Sequence, residues 1–191
     1  MRETTIETEA AATPKKRRAH KPIAKKAISA PHALNEAYCY QHPSSFSRGM
    51  RLDIKEITVL LISGTASVGE QGQTVHPGDF RAQTWRAYQN ITDLLESEGA
   101  TWKDVVRTTC YLRDIERDYV AFNEIRTEFF RQQGLDPLPA STGIQAILCW
   151  PSLLVEMEAM AIFETEENFS SARAAASKPR NPPSAPTARM A

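Results

Sequence analysis

Pro139 to Phe163, PASTGIQAILCWPSLLVEMEAMAIF, is the stretch whose reading decides the fold. Its second half alternates with a period of two, so Val155, Met157, Ala159 and Ala161 fall on one face of a strand. Leu154, Glu156, Glu158, Met160 and Ile162 fall on the other. Two carboxylates therefore share a face with large apolar residues. A strand that is apolar on both sides is normally covered on both sides, and burying an unpaired charge is costly. Glu156 and Glu158 must then meet partners or reach a wet cleft. A subunit interface with a small pocket at its rim meets both demands.

Working outward, STGIQAIL (141–148) reads as a strand joined to the last one by a turn at Trp150-Pro151-Ser152. Upstream, Asp118 starts an amphipathic helix that buries Val120, Phe122, Ile125, Phe129 and Phe130 and stops at Gly134. DVVRTTCYLRD (104–114) is a strand with Val106, Thr108, Cys110 and Leu112 on one side. Asp79 caps an earlier helix that ends before Gly99 and carries Phe80, Trp85, Tyr88, Ile91, Leu94 and Leu95 mostly at three- and four-residue spacing. Before it, SFSRGMRL (45–52) and EITVLLIS (56–63) form a hairpin ending at Gly64, and VGEQGQTVHPGD is turn chemistry. The order strand, strand, helix, strand, helix, strand, strand gives one mixed α/β (α+β) sheet with two helices packed on one face. The other face is left bare and apolar, which a monomer rarely tolerates, so oligomerisation is expected.

Charge divides the chain into three parts. Residues 1–30 hold eight Lys or Arg against three Glu, including KKRR at 15–18, and residues 168–191 hold four basic residues and no acid. Both read as basic disordered tails on a folded domain at 31–167, where eleven basic side chains face twenty acidic ones. That acidic body lacks the clustered Lys and Arg that nucleic-acid phosphates need. Cys39, Cys110 and Cys149 are three and far apart, without metal-ligand spacing, and read as reduced core or near-core thiols of a cytoplasmic protein. Apolar runs such as Val59 to Ile62 are far too short to span a membrane.

On these residues the chain resembles the Rid family of reactive intermediate deaminases, the YjgF-like proteins. The matching pieces are ISGTASV (62–68), Gln83-Thr84, DVVRTTCYLRD, FNEIRTEFF (122–130), Pro139-Ala140 and VEMEAMAI (155–162), in order over about residues 45–163. The resemblance implies a chorismate-mutase-like fold, a homotrimer, and sites at the subunit interfaces. It implies hydrolysis of small imines or enamines to a carbonyl compound plus ammonia, with no metal and no organic cofactor. Residue by residue, Glu156 matches the acid that positions the attacking water, Ser63 and Gly64 match the strand-end pair, and Asn123 matches the asparagine of the second helix.

Three positions depart from that pattern. Ser141 stands where the family has the Arg that grips a substrate carboxylate; Gly143 replaces a cysteine; Phe46 replaces a tyrosine. Thr142 and Gln145 flank these as lining residues, Gln145 alternatively being a plain sheet residue. Arg48, two residues from Phe46 and so on the same strand face, is a candidate replacement cation; alternatively it pairs with Glu156 or Glu158, or sits at the edge. Glu156 itself is alternatively an interface carboxylate satisfied by backbone N–H groups, and Glu158 reads as structural. The chain is thus expected to be a deaminase of altered substrate, or else a non-catalytic trimeric module binding a small molecule or a protein. A ribonuclease activity sometimes attached to the family is disfavoured by the acidic body.

Overall fold

The computed structural model describes residues 22–164. The expected basic disordered tails fall largely at residues 1–21 and 165–191, outside the described residues. Six strands form a single sheet: β1 (Ala24–Ala27), β2 (Gly49–Ile54), β3 (Ile57–Ala66), β4 (Val105–Leu112), β5 (Ala140–Gln145) and β6 (Val155–Glu164). Two helices, α1 (Phe80–Glu96) and α2 (Ile115–Gln132), complete it. The spatial order is β1-β2-β3-β6-β4-β5, antiparallel throughout except for β4 and β5, which run parallel across the α2 crossover. The mixed sheet with two helices is therefore the architecture expected from the order of elements.

β6 lies at the centre, between β3 and β4, and its alternation sets the two faces. Val155, Met157, Ala159 and Ala161 are buried beneath the helices, while Glu156, Glu158 and Met160 are half-buried and Ile162 exposed on the far side. Leu60 and Ile62 of β3 and Cys110 and Leu112 of β4 add to the same buried layer. α1 lays Tyr88, Ile91, Leu94 and Leu95 on it, and α2 adds Phe122, Ile125, Phe129 and Phe130. Tyr88 stacks on Phe129 with centroids 4.3 Å apart, and Trp102 closes the cluster edge-on to both. Leu61 (37% exposed) and Ile162 remain on the bare face, together with Val59 and Met160.

Several local expectations are corrected. The N-terminal tail was placed at 1–30, yet Ala24–Ala27 pairs with β2 and Ile28 and Ala30 are buried. This strand is held by backbone pairing while its own residues stay exposed, so no apolar pattern marks it. α2 starts three residues before Asp118, because Asp114 accepts from the Arg117 N–H as its cap. Asp118 is instead buried and paired with Arg117. Val120 is 70% exposed, outside the buried stripe of α2. Val106 is exposed because a register shift between Val105 and Arg107 places Val105 inward in its stead. Cys110 is the packed thiol expected, but Cys39 and Cys149 are exposed. β5 ends at Gln145, whose Oε1 accepts from the Ile115 N–H and so caps α2. No helix among the described residues is long and apolar enough to cross a membrane.

Candidate active site

Glu156 projects from β6 onto the bare side of the sheet, and the neighbouring β3 makes room for it. Between Ile62 and Thr65, β3 carries one more residue than the facing stretch of β6 from Ala159 to Met157, a bulge that contains Ser63 and Gly64. A Cβ added to Gly64 would sit 2.0 Å from Glu156 Oε1. Glycine at this position thus lets the carboxylate keep the space that a side chain would fill.

The Glu156 carboxylate opens into a cleft of about 110 Å³ lined by Gly64, Phe46, Arg48, Tyr40, Trp150 and Leu153, among others. No hydrogen bond reaches Glu156 among the described residues. Burial first, and the nearby Glu158 carboxylate second, push its carboxyl above the usual carboxylate range. A half-buried, unpartnered carboxyl of raised pKa is a better proton donor and acceptor for catalysis than an ordinary surface glutamate.

Arg48 is in the wall of this cleft, but it is not a free clamp. Its Nε and Nη2 both donate to the Asn35 carbonyl, at 3.0 and 2.9 Å, and the side chain is only 4% exposed. Tyr40 and Phe46 flank the guanidinium, with ring centroids 4.9 and 5.4 Å from it. Burial lowers its pKa, partly offset by the Glu36 carboxylate. Arg48 therefore fastens the loop of residues 35–46 over the cleft, and pairs with neither Glu156 nor Glu158.

The remaining candidates lie elsewhere on the chain. Ser63 faces a separate depression with Arg107, Thr109, Glu158 and Met160, and its Oγ donates to the Ser47 carbonyl at 2.8 Å. Glu158 accepts from the Tyr111 hydroxyl at 3.0 Å, in keeping with a structural reading. Ser141, Thr142 and Gly143 are exposed on β5 at the far edge of the sheet. Ser141 Oγ accepts from Thr108 Oγ1 at 3.0 Å and from Arg126 Nη1 at 3.2 Å, whereas Thr142 Oγ1 accepts from Arg107 Nη2 at 3.2 Å. Asn123, on α2, donates to the Tyr119 carbonyl and accepts from Arg126 Nη2. One chain thus gathers Glu156, Gly64, Phe46 and Arg48 in a single cleft, and groups Ser141 and Asn123 around Arg126 at a second place.

Tyr40, Trp150 and Arg126 were not singled out from the sequence. Trp150 stood in the turn before β6 and Arg126 one helical turn after Asn123, so their spacing was a usable signal. Tyr40 is held in the cleft by its ring contacts with Arg48 and Gly72.

The Endoribonuclease L-PSP family profile matches residues 43–163 of this arrangement. The chain belongs to the YjgF/RutC/Rid family. A RutC family protein of Pyrococcus abyssi is 32% identical over 111 residues, covering 58% of this chain and 84% of that protein. A protein of Acinetobacter baylyi named 3-aminoacrylate deaminase RutC is 32% identical over 107 residues, 56% of this chain and 81% of its own. The crystal structure of the YjgF gene product of Escherichia coli superposes with a TM-score of 0.58 at 23% identity, covering 72% of this chain and 98% of that one. As a Rid-family member the chain thus has an expected fold and, in Glu156 and Gly64, an acid and the space it needs.

Proposed function

We propose that this protein is a Rid-type deaminase that hydrolyses a small imine or enamine to a carbonyl compound and ammonia. The observation that carries the reading is the Glu156 carboxyl, half-buried, unpartnered among the described residues and raised in pKa, facing a cleft that Gly64 keeps open. Protonated, it can deliver a proton to an enamine carbon and leave an iminium; ionised, it can take a proton from a water attacking the C=N carbon. The resulting carbinolamine loses ammonia as the carbonyl forms, so one water is consumed for each ammonia released. The relative named as a 3-aminoacrylate deaminase supports this class of reaction. Three free thiols fit the reducing cytoplasm in which we place it.

The site is completed, on this reading, by a second copy. The bare sheet face carries Leu61, Met160 and Ile162 around the two carboxylates, and a homotrimer closing on that face brings the β5 edge of one chain to the Glu156 cleft of the next. The test is the decay of an imine generated by an amino acid oxidase, followed with and without the purified protein. Acceleration by wild type and its loss in Glu156→Gln is the expected result; no acceleration over carboxylate-bearing and neutral imines alike sinks the reading. A non-catalytic binding module is the second reading, favoured by the commitment of Arg48 to Asn35, which leaves the cleft no free cation of its own. It predicts ligand-induced thermal stabilisation without turnover.

A further inference from the structure

Ser141 Oγ accepts two hydrogen bonds, from Thr108 and from Arg126, and its own proton can turn between the Cys110 sulfur, a weak acceptor, and a stronger acceptor in the groove. Beside it the Arg126 guanidinium is held in a fixed orientation by its own helix. Phe122, four residues earlier, lies 5.3 Å beneath it, and Asn123, three residues earlier, accepts from Nη2 while its Nδ2 donates to the Tyr119 carbonyl at 2.9 Å.

Among the described residues this cation pairs with no acid. Every carboxylate of α2 that forms an ion pair does so with another base: Glu124 with Arg81, Glu128 with Arg131, and Asp118 with Arg117. Among the described residues Arg126 meets only neutral acceptors. It borders a groove of about 490 Å³ whose walls include Phe130, Leu135, Leu138 and Pro139. A half-buried guanidinium against apolar walls attracts an anion more strongly than one in open water, and its planar fork matches a carboxylate with two parallel N–H bonds.

We propose that Arg126, with the Ser141 hydroxyl, is the carboxylate-binding subsite of this protein, so that the substrate is a small imine or enamine bearing a carboxylate. The cation comes from α2 and not from β5, and it determines which imines are accepted. This rests on the deaminase reading for the identity of the substrate, but the subsite itself is testable without turnover.

The probe is 2-oxobutanoate, with butanone as its uncharged counterpart, each titrated into the full-length protein by ligand-observed NMR. Wild type binds 2-oxobutanoate the more tightly; Arg126→Gln weakens it at least tenfold and butanone by less than twofold, and Arg126→Lys falls between. With the imine released from 2-aminobutanoate, Arg126→Gln raises KM far more than it lowers kcat. Far-UV circular dichroism establishes that both variants fold. Equal affinity of wild type and Arg126→Gln for 2-oxobutanoate, or an equal loss for both probes, overturns the subsite. If wild type accelerates no imine yet binds 2-oxobutanoate through Arg126, the deaminase reading falls and the subsite stands; if it accelerates imines but the binding ignores Arg126, the subsite falls alone.

Discussion

At the residue scale the proposed chemistry rests on Glu156 and on the missing side chain of Gly64. The raised carboxyl means that the native state holds its proton to a higher pH than the unfolded chain, where a glutamate titrates near ~4.3. Between those two values the folded form binds more protons, so stability falls as pH rises through the window. Gln cannot ionise. Glu156→Gln is therefore expected to match wild type in urea denaturation below the lower value and to exceed it at neutral pH, while turnover drops by roughly 10²- to 10⁴-fold. A variant less stable than wild type at pH 7 would contradict an unpartnered acid. Gly64→Ala separates the same two effects. Its Cβ would meet Glu156 Oε1 at 2.0 Å, the far end of a flexible side chain, so the carboxylate swings away and the fold survives. The expected outcome is a stability change within about 1 kcal/mol with a loss of turnover on the order of 100-fold.

At the scale of elements, what could be read beforehand is what repeats along one segment. The two helices and β6 announced themselves through apolar spacing, and the β6 alternation placed Glu156 on the correct face. The bulges at Ser63-Gly64 and at Val106 did not, because register is a property of two strands and neither sequence contains it. β1 was missed for a related reason: Ala24-Lys25-Lys26-Ala27 buries no side chain and is a strand only through its ladder with β2. Arg126 escaped notice because its meaning depends on Ser141, fifteen residues on and in another element. The helix interface also holds a group with no visible task. The Tyr88 hydroxyl is buried in the aromatic cluster without a hydrogen-bond partner among the described residues, and burial raises its pKa well above the usual phenol range. Removing an unsatisfied polar atom from an apolar site relieves its desolvation penalty. Tyr88→Phe is expected to stabilise the protein by about 1 kcal/mol in urea denaturation; a loss of that size would reveal a partner for the hydroxyl.

For the whole molecule, the decisive feature is the side of the sheet that no helix covers. Leu61 lies there between Met50 and Met160 in neighbouring strands, and the half-buried acids of β6 flank it. An apolar surface of this kind is a docking face, and the second group of site residues, at the β5 edge, faces away from the first within one chain. The proposed trimer would bring the two groups together, and on that proposal turnover depends on assembly. A charge at position 61 has to be desolvated for the faces to close, whereas in a lone chain the same charge stays in water. Leu61→Asp is therefore expected to fold, to sediment as a single 21.3 kDa chain where wild type sediments at three times that mass, and to lose turnover together with assembly. Sedimentation velocity across a tenfold dilution series, with imine decay measured on the same samples, checks all three. If wild type sediments as a folded monomer that still accelerates imine decay, the interfacial site is wrong, and Glu156 must work within its own chain's cleft.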